Sequence, residues 1–138
     1  MTSDAFPQLQ VLASKLLQLP LVDPPTSAEM VYGYVRTNTV QPAYVDACAD
    51  LLTWWSSAIG LRLGTVFRDH GVAGTALIRP GFTGLLDVLR LPQSAGALVV
   101  EGSHLSGSAA VAKQLSSEIR RTASTLRILA DELAEVTA

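Results

Sequence analysis

Strand-like and helix-like segments alternate along most of this chain, and that alternation limits its fold more than any other feature. Residues 30–36 are rich in Val and Tyr and read as a first strand. A helical stretch follows from Pro42, a residue suited to a first helical turn. Val45, Cys48, Leu52, Trp55 and Ile59 mark its apolar face, and Gly60 closes it. Residues 61–67 alternate as a second strand, and residues 69–79, which hold Gly71 and Gly74, read as a long loop. A helix over 80–91 presents Phe82, Leu85, Leu86 and Leu89 inward. Residues 96–100 form a continuous apolar run, the pattern of a strand buried on both faces of a parallel sheet. Residues 108–121 repeat Val111, Leu115 and Ile119 at helical spacing, residues 126–129 suit a short strand, and residues 130–138 suit a final helix. This order predicts an α/β three-layer sandwich around a mostly parallel sheet of four to five strands, with 30–36 and 96–100 central and 61–67 beside them.

An extra segment precedes that domain. Phe6, Leu9, Ala13 and Leu16 recur at three- and four-residue steps, so residues 5–19 suit an amphipathic helix. Pro20, Pro24 and Pro25 make 20–28 a linker. The chain therefore divides into residues 1–29, a helix with a proline-rich linker, and residues 30–138, the α/β domain. A short helix cannot leave its apolar stripe in water. The reach of the linker favours docking on another protein or another copy. With Trp54, which is rotated about 100° from the buried Trp55 on the helical wheel, Phe6, Leu9, Ala13 and Leu16 form the candidate interface.

Composition narrows the function. The 138 residues are 49 % hydrophobic with both signs of charge, as in a globular domain. No apolar run approaches the roughly 20 residues of a membrane span, and the first residues lack the basic start of a secretory signal, so a cytoplasmic protein is expected. The single cysteine, Cys48, sits on an apolar helical face and excludes an internal disulfide. Net charge is −2. Arg120-Arg121 is the only adjacent basic pair, which argues for weak or absent DNA binding, because phosphate neutralisation supplies most non-specific affinity.

Three blocks carry a more specific signal. They are Tyr34-Val35-Arg36-Thr37-Asn38-Thr39, then Asp69-His70-Gly71-Val72-Ala73-Gly74-Thr75 with Arg79-Pro80-Gly81-Phe82, then Leu98-Val99-Val100-Glu101-Gly102-Ser103-His104-Leu105-Ser106-Gly107. In order and spacing they resemble the signatures of the serine recombinase (resolvase/invertase) catalytic domain: Y-x-R-V-S-T, D-x-G-V-S-G-T with R-P-G-F, and V-V-x-x-L-D-R-L-S-R. The resemblance spans about residues 31–132. It implies a resolvase-like α/β fold and a site at Arg36, Asn38, Asp69, Ala73, Arg79, Ser103, His104 and Gly107.

By that resemblance the site is degenerate. The family's nucleophilic serine corresponds to Asn38, whose carboxamide cannot form a phosphoserine link. Ala73 stands for another serine, Ser103 and His104 for an aspartate and an arginine, and Gly107 for a last arginine. Only Arg36 and Arg79 remain of the charge that stabilises a phosphoryl transition state. The resemblance therefore implies that the chain is not an enzyme and makes no covalent link to DNA. The expected role is a protein-interaction or regulatory module, self-associating or docked on a partner. The alternatives are an accessory DNA-binding protein with a basic face at Arg36, Arg79, Arg120 and Arg121, or an anion- or nucleotide-binding domain using Arg36 and the 69–79 loop.

Blander readings are also open. Arg36 can form a structural ion pair with Asp69, and Arg79 can tie its loop to the sheet. Ser103 or Ser106 with His104 as base is a poor nucleophilic site, since neighbours on an extended segment point apart and no acid orients the histidine. Glu101 and His104 are too few ligands for a metal. No cofactor is expected, because no glycine-rich dinucleotide or phosphate-loop motif occurs.

Overall fold

A computed structural model describes residues 6–19 and 29–136. Four strands, β1 (Met30–Arg36), β2 (Arg62–Asp69), β3 (Ser94–Val99) and β4 (Thr125–Ile128), form one parallel sheet in the order β2-β1-β3-β4. Parallel neighbours need a crossover. Here α2 (Pro42–Ala58), α3 (Pro80–Leu89) and α4 (Ala109–Arg121) supply the three crossovers. A helix α1 (Pro7–Leu16) precedes β1 and α5 (Leu129–Val136) follows β4.

Two apolar cores lie on opposite faces of the sheet, as side-chain alternation along β1 and β3 requires. Val31, Val35, Leu98 and Val100 join Val45, Cys48, Leu52 and Trp55 of α2 on one face. Tyr34, Ala97 and Val99 join Phe82, Leu85 and Leu89 of α3 and Leu115 and Ile119 of α4 on the other. The three layers are those expected. Prolines occupy the first turns of α1, α2 and α3, where a missing N–H costs nothing. Ser108 caps α4 by accepting from the Val111 amide.

Several boundaries differ from the sequence reading, among them the start of β3, which is Ser94 rather than residue 96. Strand β2 runs on to Asp69 rather than stopping at Phe67, because the Thr37 amide donates to the Asp69 carbonyl and keeps the ladder going. Helix α3 ends at Leu89, and the Leu91 carbonyl instead accepts from Ser94 in the turn into β3. Leu129 opens α5 rather than closing β4.

The larger correction concerns α1. Its stripe is covered by its own domain. Leu9, Leu12 and Leu16 are buried in the core shared with α2 and α5, so Leu9 and Leu16 are not available to a partner. Phe6 and Ala13 pack at the margin of the same core, and Trp54 of α2 lies beside them half-buried. The stripe finds apolar cover on α2 without leaving the chain, which removes the need for a second protein. The linker assigned to 20–28 lies outside the described residues. Among the described residues no helix is long and apolar enough to cross a membrane.

Two stability measurements follow. Leu16 is fully buried, so Leu16→Ala should cost about 3 kcal/mol in denaturant unfolding. A change below about 0.5 kcal/mol would show that α1 does not belong to the core. Ala123, just past α4, holds a left-handed backbone with φ 66°, a conformation that disfavours a Cβ. Ala123→Gly should therefore raise stability by about 1 kcal/mol, an exception to the usual cost of adding glycine.

Candidate functional site

The C-terminal edge of β1, the loop after β2 and the turn after β3 meet at one end of the sheet, where ligands usually bind in open α/β folds. Arg36, the last residue of β1, is only 7 % exposed. Its Nη1 donates to Asn38 Oδ1 at 2.5 Å and to the Val72 carbonyl at 2.8 Å, and its Nη2 donates to the Ser103 carbonyl at 2.7 Å. One guanidinium thus ties all three sequence blocks together. Every one of those acceptors is neutral. The Nε is buried without a partner. Burial, and then the positive charge of Arg79, disfavour the charged form and pull the Arg36 pKa below its ordinary value.

Arg79 is more enclosed, at 1 % exposure. Nε donates to the Ala76 carbonyl and Nη2 to the Gly74 carbonyl, both at 2.8 Å. Nη1 reaches the His104 carbonyl at 3.3 Å and the Tyr34 hydroxyl at 3.4 Å. It clamps the 74–76 loop onto the turn after β3, the loop-holding role among the bland readings. The Tyr34 hydroxyl in turn donates to Asp69 Oδ2 at 2.7 Å. Burial first, then Asp69, raise the Tyr34 phenol well above its usual range.

The expected Arg36–Asp69 ion pair does not form. The two residues are register partners in β1 and β2, but the carboxylate faces α3. Asp69 Oδ1 accepts from the Gly81 amide at 2.7 Å and Oδ2 from the Phe82 amide at 3.0 Å. It satisfies orphan donors at the start of α3. Gly81 is required here: a Cβ would sit 2.7 Å from the Arg68 carbonyl oxygen and 2.9 Å from Asp69 Oδ1.

His104 lies in a short 3₁₀ turn (Gly102–His104), buried, with Nε2 2.8 Å from the Tyr44 hydroxyl and Nδ1 without a partner. Burial, and secondarily Arg36, push its pKa down to about 4. It is neutral at pH 7 and faces Tyr44 rather than Ser103 or Ser106, so it is no base for either serine. Among the described residues no three His, Cys, Asp or Glu side chains gather as metal ligands.

Arg36 and Asn38 open onto a pocket of about 420 Å³, completed by Gly74, Thr75, Ser103, Ser106, Gly107 and Ser108. No carboxylate lines it. The pocket takes in Arg36, Asn38, Ser103 and Gly107 of the expected site. Asp69, Arg79 and His104 stand behind it as supports, and Ala73 is not among its lining residues. Thr75 and Ser108 were missed. Their signals were present: Thr75 ends the G-V-A-G-T run, and Ser108 stands where a serine caps a helix. Arg120 and Arg121 are exposed at the far end of α4, roughly 18 Å of helix away from Ser108, so the four arginines do not form one basic face.

No family model matches this sequence, and no curated protein does. Solved structures do share its fold. The N-terminal catalytic domain of TP901-1 integrase is 23 % identical with TM-score 0.68, over 75 % of this chain and 79 % of that one. The C-terminal catalytic domain of ISC1926 TnpA, an IS607-like serine recombinase, is 15 % identical with TM-score 0.64, over 72 % and 67 %. A serine recombinase from Sulfolobus solfataricus is 15 % identical with TM-score 0.51, over 74 % and 68 %. The fold is that of a serine recombinase catalytic domain.

This overturns the expectation that the chain is not an enzyme. The structures that share its fold include catalytic domains of enzymes. The replacements at Asn38, Ala73, Ser103, His104 and Gly107 on which that expectation rested do not show inactivity, and Thr75, Ser103, Ser106 and Ser108 bring hydroxyl groups to the pocket that Arg36 lines.

His104 gives a pH signature. Its folded pKa of about 4 lies below the ordinary 6.5, so its contribution to stability is complete above pH 6.5 and is lost as pH falls toward 4. Thermal midpoints measured between pH 7.5 and 4.5 should fall more steeply in the native protein than in His104→Gln. Parallel curves would show that His104 does not titrate on unfolding.

Proposed function

We propose that this domain works by binding an oxyanion, a phosphate group in the first instance, in the pocket of Arg36, Asn38, Thr75, Ser103, Ser106 and Ser108. A single observation supports the reading most. Arg36 is a nearly buried guanidinium whose acceptors are all neutral, and it opens on a pocket without a carboxylate. A buried charge ordinarily has a counter-charge. With Arg79 close enough to lower its pKa, a bound anion would relieve both the desolvation and the repulsion. The polar lining supplies the hydrogen bonds that position such a group.

A second reading, a protein-interaction or regulatory module, draws on a different place. Phe6, Ala13, Ala47, Leu51 and Trp54 line an open apolar groove of about 280 Å³ between α1 and α2. Apolar grooves beside a half-exposed Trp suit protein contacts. Light scattering across a concentration series tests self-association there, and a mass fixed at the monomer would remove it.

Dimethyl phosphate titrated into the protein by calorimetry or amide NMR should bind with shifts centred on Gly74–Thr75 and Ser106–Ser108. A Cβ at Gly107 would meet nothing within 4 Å, so Gly107→Asp adds a negative charge at the pocket without a clash. The variant should keep its thermal midpoint and weaken binding at least about tenfold, the effect of a like charge at close range. Unchanged affinity would place the anion elsewhere.

A further inference from the structure

Three rings stand in series between the start of α1 and the wall of the pocket. The Phe6 and Tyr44 ring centres are 5.6 Å apart, and Tyr44 meets the His104 ring edge-on at 5.9 Å. Ring pairs at such spacings attract beyond the area they bury. The Tyr44 hydroxyl also lies 2.8 Å from His104 Nε2, and with Nδ1 unpartnered this is the only hydrogen bond of the His104 ring among the described residues. His104 is buried, so the loss of Tyr44 would leave its ring with no partner, a costly state. The turn that carries His104 holds the pocket's two guanidinium supports. The Ser103 carbonyl accepts from Arg36 and the His104 carbonyl from Arg79. The turn is a single 3₁₀ turn, Gly102–His104, and 3₁₀ hydrogen bonds have poorer geometry than α-helical ones. Its place therefore depends on the side chains that anchor it.

We propose that α1 governs the pocket along this route: Phe6 steadies Tyr44, Tyr44 steadies His104, and the 102–104 turn then presents Ser103 to the pocket and its carbonyls to Arg36 and Arg79. A helix as short as α1 is not stable in water by itself. It is either seated on the domain by Leu9, Leu12 and Leu16 or unfolded, which gives the route two states. Phe6 also lines the apolar groove between α1 and α2, so a contact made in the groove bears on the ring that begins the series. Pocket and groove become two ends of one device, in which a partner that lifts α1 loosens the pocket wall. This regulation rests on the two readings above, anion binding at the pocket and protein contact at the groove, and adds that each alters the other, since coupling between sites is reciprocal. Phe6 and Tyr44 are positioning residues, and neither lines the pocket.

Amide hydrogen exchange reads the turn without any ligand. The His104, Leu105 and Ser106 amides donate to the Glu101 and Gly102 carbonyls, so their exchange reports opening of the turn. In Phe6→Ala and in Tyr44→Phe, exchange at these three amides should quicken by on the order of tenfold, the effect of losing one ring pair or one hydrogen bond. Leu98 in β3 and Ala112 in α4 should keep their native rates, and thermal melts confirm that both variants are folded. The double variant should quicken the turn no more than Tyr44→Phe alone, because Phe6 acts through Tyr44. Dimethyl phosphate should bind Phe6→Ala more weakly than the native protein by about fivefold, the low end of coupling between sites. Unchanged exchange in Phe6→Ala, equal quickening at Leu98, or effects that add in the double variant would overturn the inference. So would a loosened turn with undiminished affinity. Absence of binding to the native protein would overturn the oxyanion reading instead, and the exchange rates would then decide alone whether α1 holds the turn.

Discussion

The end of the sheet that forms the pocket depends on the chain of contacts from Arg79 through Tyr34 to Asp69. The ten-residue loop 70–79 buries none of its apolar side chains fully, and its buried carbonyls need donors. Arg79 supplies them to Gly74, Ala76 and His104 at once. Tyr34 bridges that guanidinium to Asp69, and Asp69 fixes the first amides of α3. Loop, turn and helix are thereby held in one arrangement. Because the charges at its two ends meet through a phenol rather than directly, removal of Tyr34 would leave both buried groups short of a partner, a larger loss than one hydrogen bond.

Arg36 does the corresponding work on the solvent side, with one difference. Its ties to Val72 and Ser103 hold the loop and the turn around the pocket, yet no carboxylate neutralises it. Arg79 at least has Asp69 beyond the tyrosine. A site that stays positive after its internal hydrogen bonds are counted is suited to an anion. Asn38 takes part in this as an oriented donor, a role that its comparison with a serine does not reveal.

The alternation of segments was enough to read the sheet, its parallel sense and its central strands, because a parallel strand buried on both faces must be apolar throughout and must be followed by a crossover. Val31, Val35, Leu98 and Val99 could hardly be placed otherwise. The helix starts were equally legible from Pro42, Pro80 and Ser108, since the chemistry of a first turn is local. The three blocks also named the edge of the sheet at which the pocket forms.

What the sequence left open was decided by contacts between residues far apart in the chain. The register of β1 with β2 sets Arg36 opposite Asp69, and spacing alone made an ion pair between them the natural expectation. The fold instead turns Asp69 toward α3 and Arg36 toward carbonyls 36 and 67 residues further along the chain. Likewise an apolar stripe on α1 specifies that it must be covered but not by what; only the packed faces of α2 and α5 settle that the cover is internal. Periodicity and capping are properties of neighbours in sequence, so the chain alone determined its elements and their order. The partner of a charged or apolar side chain is a property of neighbours in space, so the site was determined by the tertiary structure.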